Sequence, residues 1–172
     1  MEKISVIVPV LNCREHLNRI IIGLLNQTYR NLEVIVLDNG SSDLTYEMCQ
    51  NWSFLDDRIK VYQINCNAFD FGLEKATGDY VILIDNLNID DKFMLENMIS
   101  SLKNNNADIS IYNSNYNRIT SYLVCDYKNI ENDFDGCLWN KMFKKDLFNS
   151  YNKIENVFKT ALKKAVRISL FV

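Results

Sequence analysis

The chain of 172 residues is poor in residues on which several classes of site depend, with one proline, one histidine and five glycines. The single histidine excludes a His-rich metal site, and a Ser-His-Asp or Cys-His group would have to use His16. His16 follows Glu15 in a helical stretch and has no visible catalytic partner, so we interpret it as a solvated helix residue. Histidine-based catalysis is therefore not expected.

Signals for secretion, membrane insertion and nucleic-acid binding are also missing. The five cysteines are widely spaced without a C-x-x-C pair, which favours small buried side chains in a reduced, cytoplasmic protein. The first nine residues do not resemble a signal peptide, and no apolar stretch reaches the roughly 18 residues of a membrane span. A net charge of -3 argues against a nucleic-acid partner.

Apolar residues are plentiful, at 48% of the chain, and their periodicity alternates between strand and helix. The length and hydrophobic content predict a single domain over residues 1–172. The alternation predicts an α/β fold with a Rossmann-like, mostly parallel sheet flanked by helices. The predicted strands are 4–10, 32–37, 58–64, 80–84 and 107–112, and the predicted helices are 15–26, 44–52, 71–76 and 91–103.

The later part of the chain is harder to interpret. Between residues 113 and 134 only 119–124 suggests a strand. Residues 154–165 follow helical spacing, with lysines opposite the apolar face, and residues 166–172 suggest a last strand. From Lys141 onward the chain has eight basic and two acidic residues, so this basic C-terminal segment is either a solvated face or a peripheral contact with an anionic membrane.

Polar residues follow three of the predicted strands. Asn12 comes after the first strand, Asp38 and Asn39 after the second, and Asp85 and Asn86 after the fourth. Ligands of open α/β sheets bind at the carboxyl ends of the strands, so these side chains are candidates for one crevice. No G-x-G-x-x-G or P-loop pattern is present. The alternative is that Asp38 and Asn39 only form a turn and cap the next helix.

Six segments, taken in order, resemble the family 2 glycosyltransferases of the GT-A fold. Single matches are weak, but six in the right order make the resemblance specific. The segments are ISVIVPVLN (4–12), LNQTYRNLEVI (25–35), DNGSSD (38–43), ATGDY followed by ID (76–85), WNKMFKK (139–145) and IENV (154–157).

The resemblance implies transfer of a sugar from a nucleotide-sugar donor, typically of the UDP type, to an acceptor hydroxyl, with Mg²⁺ or Mn²⁺ at the diphosphate. It implies nucleotide binding by the matching residues at the strand ends, a metal ligand at Asp85, and a catalytic pair at Glu155 and Asn156. The implied nucleotide-binding residues are Pro9, Leu11, Asn12, Asp38, Asn39, Asp85 and Asn86.

The sequence departs from the family pattern at the residues that carry the chemistry. Asn39 and Asn156 stand where the family has carboxylates, and Leu87 stands where it has the last metal ligand. Leucine offers no oxygen to a hard cation, and an amide cannot accept a proton at neutral pH. A Gly-rich loop with an arginine is shortened to residues 67–72, with an apolar residue near Phe69 instead of the arginine.

Two functions follow from these departures. The first is a family 2 glycosyltransferase whose transfer reaction is impaired or absent, with Glu155 as a substitute base. The second is a non-catalytic pseudo-glycosyltransferase that acts as a partner or scaffold. The donor sugar, the acceptor and the oligomeric state do not follow from the sequence. Neutral drift in an asparagine-rich sequence, with 23 Asn, would produce the same substitutions.

Overall fold

The structure is a computed structural model that describes residues 2–84, 89–113, 118–122 and 141–148. Seven strands and four α-helices lie within these residues. The strands are β1 (Ile4–Val10), β2 (Leu32–Asp38), β3 (Ile59–Gln63), β4 (Tyr80–Leu83), β5 (Ile109–Asn113), β6 (Arg118–Tyr122) and β7 (Lys141–Lys144). The helices are α1 (Arg14–Leu25), α2 (Thr45–Leu55), α3 (Ala68–Lys75) and α4 (Met94–Asn104), and a 3₁₀ turn spans Lys145–Phe148.

All seven strands form one sheet in the order β3-β2-β1-β4-β7-β5-β6. The pairs β1–β2, β1–β4 and β2–β3 are parallel, whereas β7 is antiparallel to both β4 and β5. Strands β1 to β5 therefore point in one direction, and β6 and β7 point in the other. The predicted α/β class, with a mostly parallel sheet flanked by helices, is confirmed.

Both faces of the central strands are buried, as their near-continuous apolar sequences require. On one face Val6, Val8 and Ile82 pack with residues of α1 and α4. On the other face Ile7 and Ile35 pack with residues of α3. The central strands of the sheet thus lie between two helical layers. None of the helices within the described ranges has the length and apolarity needed to span a bilayer.

Helix α3 begins three residues earlier than the predicted start at Phe71. The side chain of Asn67 accepts a hydrogen bond from the backbone N–H of Asp70 at 3.0 Å and caps the helix. Asn is a favoured N-cap residue. Asn67, which looks like a loop residue in the sequence, therefore marks the start of the helix.

Strand β7 lies within the WNKMFKK segment, which the sequence did not identify as a strand. Four residues flanked by lysines give too short a pattern for a periodicity argument, and only pairing with β4 and β5 makes this segment a strand. The predicted helix 154–165 and strand 166–172 lie outside the described residues, and the division of the chain into domains stays a prediction.

Candidate functional site

The carboxyl ends of the parallel strands meet at one edge of the sheet, which we call the carboxyl edge. From β1 the chain continues to β2 and then to β3, which lie to one side of β1 within the sheet. Strand β4 lies to the other side of β1. The strand order therefore reverses between β1 and β4, and ligands of open α/β sheets bind at such a switch point. Asn12 follows β1 at this point, and Asp85 lies two residues beyond β4.

Asp38 ends β2 and is fully buried. Its carboxylate oxygen Oδ2 accepts hydrogen bonds from the backbone N–H groups of Gly40 at 3.3 Å and Ser41 at 3.2 Å. Gly40 has φ +85°, a conformation that glycine adopts at little cost. The carboxylate of Asp38 thus forms the turn after β2, as the structural alternative predicts, but the predicted cap is wrong, because α2 begins after Leu44 without a side-chain cap.

Asn39 is the next residue in this turn, and it is exposed. Its backbone N–H donates a hydrogen bond to the carbonyl oxygen of Val10 at 3.0 Å, which fixes it beside the end of β1. Leu11, which follows Val10, is 42% exposed. An exposed amide and an exposed apolar side chain therefore lie on adjoining strand ends.

Asn12 ties the ends of β1 and β2 together. Its side-chain oxygen accepts from the backbone N–H of Ser42, and its own N–H donates to the hydroxyl of Ser41, both at 2.9 Å. Its φ of +48° is in the left-handed region, which asparagine tolerates better than most residues. Pro9 lies opposite Leu37, one residue before the end of β1, and is partly exposed.

Beside Asn12, a groove of about 520 Å³ separates the start of α1 from the loop that precedes α2. Asp43 organises this loop, because its carboxylate accepts hydrogen bonds from Thr45 and from the backbone N–H of Arg14. The hydroxyl of Thr45 is the main cause that lowers the pKa of Asp43. Neither Asp38 nor Asn39 lines the groove. Its lining residues are Asn12, Cys13, Arg14, Glu15, His16, Ser42, Asp43 and Leu44.

Two buried cysteines lie behind this loop, Cys13 and Cys49. Burial raises the pKa of the Cys13 thiol. Burial, with smaller contributions from Cys13 and Asp38, raises the pKa of Cys49 to about 12. Both thiols are protonated at neutral pH and behave as small hydrophobic side chains rather than nucleophiles.

The residues implied for metal binding and catalysis, at 85–87 and 155–156, lie outside the described residues. Of the three residues at the implied metal site, Asp85 and Asn86 offer oxygen ligands to a hard divalent cation and Leu87 offers none. In the ranges that the structure describes, no three His, Cys, Asp or Glu side chains are grouped to hold a metal ion.

Two acidic residues near this segment have other partners. Asp90 pairs with Arg19 at 2.9 Å. Asp91 accepts from the backbone N–H of Phe93 at 2.9 Å and from the hydroxyl of Tyr112 at 3.3 Å, so it stabilises the approach to α4. Both carboxylates are therefore engaged by groups of the protein itself.

Lys141 is a feature that the sequence did not single out. It is only 1% exposed, in a strand that pairs with β4 on one side and β5 on the other. The WNKMFKK motif was the available signal, but nothing in it distinguishes a buried lysine from an exposed one.

The model of the family described as "Glycosyl transferase family 2" matches residues 5–169. The chain belongs to the family 2 glycosyltransferases. An uncharacterized glycosyltransferase of Haemophilus influenzae is 34% identical over 140 residues, which is 74% of this chain and 56% of that protein. Glycosyltransferase GlyG of Streptococcus pneumoniae is 33% identical, over 65% of this chain and 39% of GlyG. The chain thus spans only about half or less of these relatives.

Solved structures of glycosyltransferases share the GT-A fold with this family member. Residues 1–349 of TarS from S. aureus, solved in complex with UDP, superpose with a TM-score of 0.66 at 19% identity, over 87% of this chain and 49% of that one. The mannosyltransferase PcManGT of Pyrobaculum calidifontis, in complex with GDP-Man and Mn²⁺, gives a TM-score of 0.64 at 20% identity, over 88% and 47%.

Proposed function

We propose that this chain binds a nucleotide-sugar at the carboxyl edge of its sheet and that its transfer of the sugar to an acceptor hydroxyl is impaired or lost. The observation that carries the proposal is the turn after β2, where buried Asp38 holds exposed Asn39 beside the end of β1. TarS, solved with UDP and with UDP-GlcNAc, and PcManGT, solved with GDP-Man, support a nucleotide-sugar donor, and the UDP type is the one that the resemblance implies.

The side chain of Asn39 offers one hydrogen-bond donor and one acceptor to a nucleobase, whereas a carboxylate offers acceptors only. Because Asp38 is committed to its turn, Asn39 is the group at this strand end with free capacity for a base. Leu11 adds apolar surface next to it. We therefore assign recognition of the base to Asn39, Leu11 and Asn12.

Impairment follows from the residues available for the reaction itself. A metal held by Asp85 alone would be weakly bound, so the charge of the diphosphate would lack its usual counterion. Asn156 cannot accept the acceptor proton, and proton transfer by a general base contributes typically about 10²–10⁴-fold to a rate. Glu155 is the remaining carboxylate at that position in the sequence.

The second candidate is a non-catalytic pseudo-glycosyltransferase that acts as a partner or scaffold. The combination of Leu87 with Asn156 favours it, because the metal ligand and the base are substituted together. A reduced, cytoplasmic setting suits both candidates, since Cys13, Cys49 and exposed Cys66 are all free thiols.

Titration calorimetry with UDP, GDP and UDP-sugars, each with and without Mn²⁺, tests the donor site. We expect UDP to bind with little change when Mn²⁺ is added. Failure of every nucleotide to bind at millimolar concentration would remove the donor-binding proposal. Binding that Mn²⁺ tightens by tenfold or more would show that Leu87 does not disable a metal site.

Restoring the substituted groups tests the impairment. In the variant Leu87→Asp with Asn156→Asp, we expect metal-dependent hydrolysis of a UDP-sugar that the unmodified chain does not perform. The matched control is Leu55→Asp with Asn51→Asp, which adds the same two carboxylates at exposed positions of α2. Equal hydrolysis by the unmodified chain would contradict the impairment, and no hydrolysis by the restored variant would point to the scaffold role.

A further inference from the structure

The loops that follow β1, β2 and β3 at the carboxyl edge are polar but begin without charge. Residues 11–13, 39–42 and 64–67 contain no lysine, arginine, aspartate or glutamate. Their asparagines are Asn12, Asn39, Asn65 and Asn67. A neutral amide can both donate and accept hydrogen bonds, so a ligand at these loops meets groups that suit a nucleobase better than an ion.

The structure divides these four amides into two that are engaged and two that are not. The side-chain oxygens of Asn12 and Asn67 each accept a hydrogen bond from a backbone N–H group, at 2.9 and 3.0 Å. Asn39 and Asn65 are exposed, and no hydrogen bond within the described residues holds either side chain. An amide without such a partner can turn about its last side-chain bond and exchange the positions of its oxygen and nitrogen.

Of the two unengaged amides, Asn39 is the one beside β1. Its backbone N–H donates to the carbonyl oxygen of Val10 at 3.0 Å, so its main chain is fixed while its amide can turn. Leu11, 42% exposed, offers apolar surface next to it. Asn65 follows β3, which β2 separates from β1. The side chain of Asn39 therefore lies where the edge of a base can be read while its ring contacts an apolar group.

The two pyrimidine bases present opposite hydrogen-bonding patterns to such a side chain. Uracil donates from N3 and accepts at O4, whereas cytosine accepts at N3 and donates from its N4 amino group. The amide oxygen of Asn39 suits the N3–H of uracil while its nitrogen donates to O4. After a half-turn, the nitrogen donates to N3 of cytosine and the oxygen accepts from N4. A carboxylate would suit the N3–H of uracil but would face the lone pair on N3 of cytosine.

We propose that Asn39 lets the base site accept both pyrimidines, so that this chain binds cytidine nucleotides as well as uridine nucleotides. The proposal rests on the donor site proposed above and widens its ligand class to sugars carried by either pyrimidine nucleotide. The asparagine at position 39 then broadens recognition of the base rather than abolishing it.

The test compares UDP with CDP by calorimetry in the presence of EDTA. Both nucleotides carry the same diphosphate, so the ratio of their affinities reports the base alone. The proteins are the unmodified chain, Asn39→Asp and the matched control Asn65→Asp, which adds the same charge on the loop after β3. We expect the unmodified chain and Asn65→Asp to bind the two nucleotides within threefold of each other. Asn39→Asp should prefer UDP by tenfold or more, because the carboxylate cannot donate to cytosine.

Three results would overturn the proposal while leaving the donor site intact. The first is a preference of the unmodified chain for either nucleotide by more than threefold, which depends on no variant. The second is folded Asn39→Asp that prefers UDP by less than tenfold, because the base edge is then not read by this side chain. The third is a preference in Asn65→Asp equal to that in Asn39→Asp, which assigns the effect to charge rather than contact. Absence of all nucleotide binding would instead remove the donor site and this proposal together.

Discussion

The two edges of the parallel sheet use polar side chains in opposite ways. At the amino edge, where the strands begin, the carboxylate of Glu33 is 2% exposed and has five hydrogen-bond donors. Lys3 and Lys60 donate at 3.0 and 2.9 Å, the hydroxyl of Ser5 at 2.7 Å, and Thr77 through its N–H at 2.7 Å and its hydroxyl at 2.8 Å.

At the carboxyl edge, the equally buried Asp38 receives two backbone N–H groups at the longer distances of 3.2 and 3.3 Å. The residue after it, Asn39, faces solvent. The amino edge is therefore a closed network that joins β1, β2 and β3 with the loop before β4. At the carboxyl edge, the side chains of Asp38 and Asn12 hold backbone groups and Asn39 is exposed. Hydrogen-bonded carboxylates are concentrated at one edge, and the proposed ligand site lies at the other, as expected for an open α/β sheet.

Glu33→Gln should have the largest effect on stability, because it disrupts the network at the amino edge. The amide removes the negative charge that balances two lysines and leaves buried donors without an acceptor, so we expect a loss of about 3 kcal/mol in the free energy of unfolding. Urea titration measures it. The control is Glu74→Gln, which removes an exposed ion pair with Lys75 and should cost less than about 1 kcal/mol. Equal effects of the two substitutions would refute the closed network.

The same network predicts how stability depends on pH. Burial by itself would raise the pKa of Glu33, but hydrogen bonds from Lys60, Ser5, Thr77 and Lys3 outweigh it and hold the pKa well below its usual range. A lowered pKa contributes stability that is fully present above the unfolded value of about 4.3 and is lost as the pH falls below it. The stability difference between the unmodified chain and Glu33→Gln should therefore narrow in acid. A difference that stays constant from pH 7 to pH 3 would contradict this origin.

Asp38→Ala should have an intermediate effect. It leaves the N–H groups of Gly40 and Ser41 without their acceptor, which costs about 2 kcal/mol in the free energy of unfolding. Because this turn holds Asn39, UDP affinity should fall as well. Chemical denaturation and calorimetry measure the two losses, and Ser53→Ala, which removes an exposed hydroxyl bond on α2, is the control for both.

Asn39→Ala should change stability least, by less than about 0.5 kcal/mol, because the side chain is exposed. UDP affinity should nevertheless fall about tenfold, the size of one good polar contact to a base. Asn51→Ala, an exposed asparagine on α2, should change neither quantity. Unchanged UDP affinity in Asn39→Ala would show that the side chain of Asn39 is not part of the donor site. The two edges would then differ in their hydrogen bonding but not through this residue in ligand binding.

Much of the fold was predictable because β1 and β2 are buried on both faces and carry apolar runs that leave little choice of secondary structure. The start of α3 was missed because its cap, Asn67, looks like a loop residue. Strand β7 was missed because its four residues have no useful periodicity. At the site, DNGSSD allowed either a nucleotide-binding turn or a turn that only caps the next helix. Asp38 forms the turn and no side chain caps α2, and nucleotide binding by Asp38 and Asn39 stays a prediction.

The sequence by itself determined the α/β class, the order of the main elements and the chemical identity of Asn39, Leu87 and Asn156. Those identities hold whatever the packing, because an amide or a leucine has the same hydrogen-bonding groups in any fold. The tertiary structure decided which polar side chains form hydrogen bonds within the protein and which remain exposed. Pairing between strands that are distant in the sequence buried Glu33 among its hydrogen-bond donors and brought Lys141 beside the end of β4. The carboxylate of Asp38 accepts hydrogen bonds from the backbone of its own turn. Such pairings depend on register and twist across the whole sheet, which no local pattern encodes.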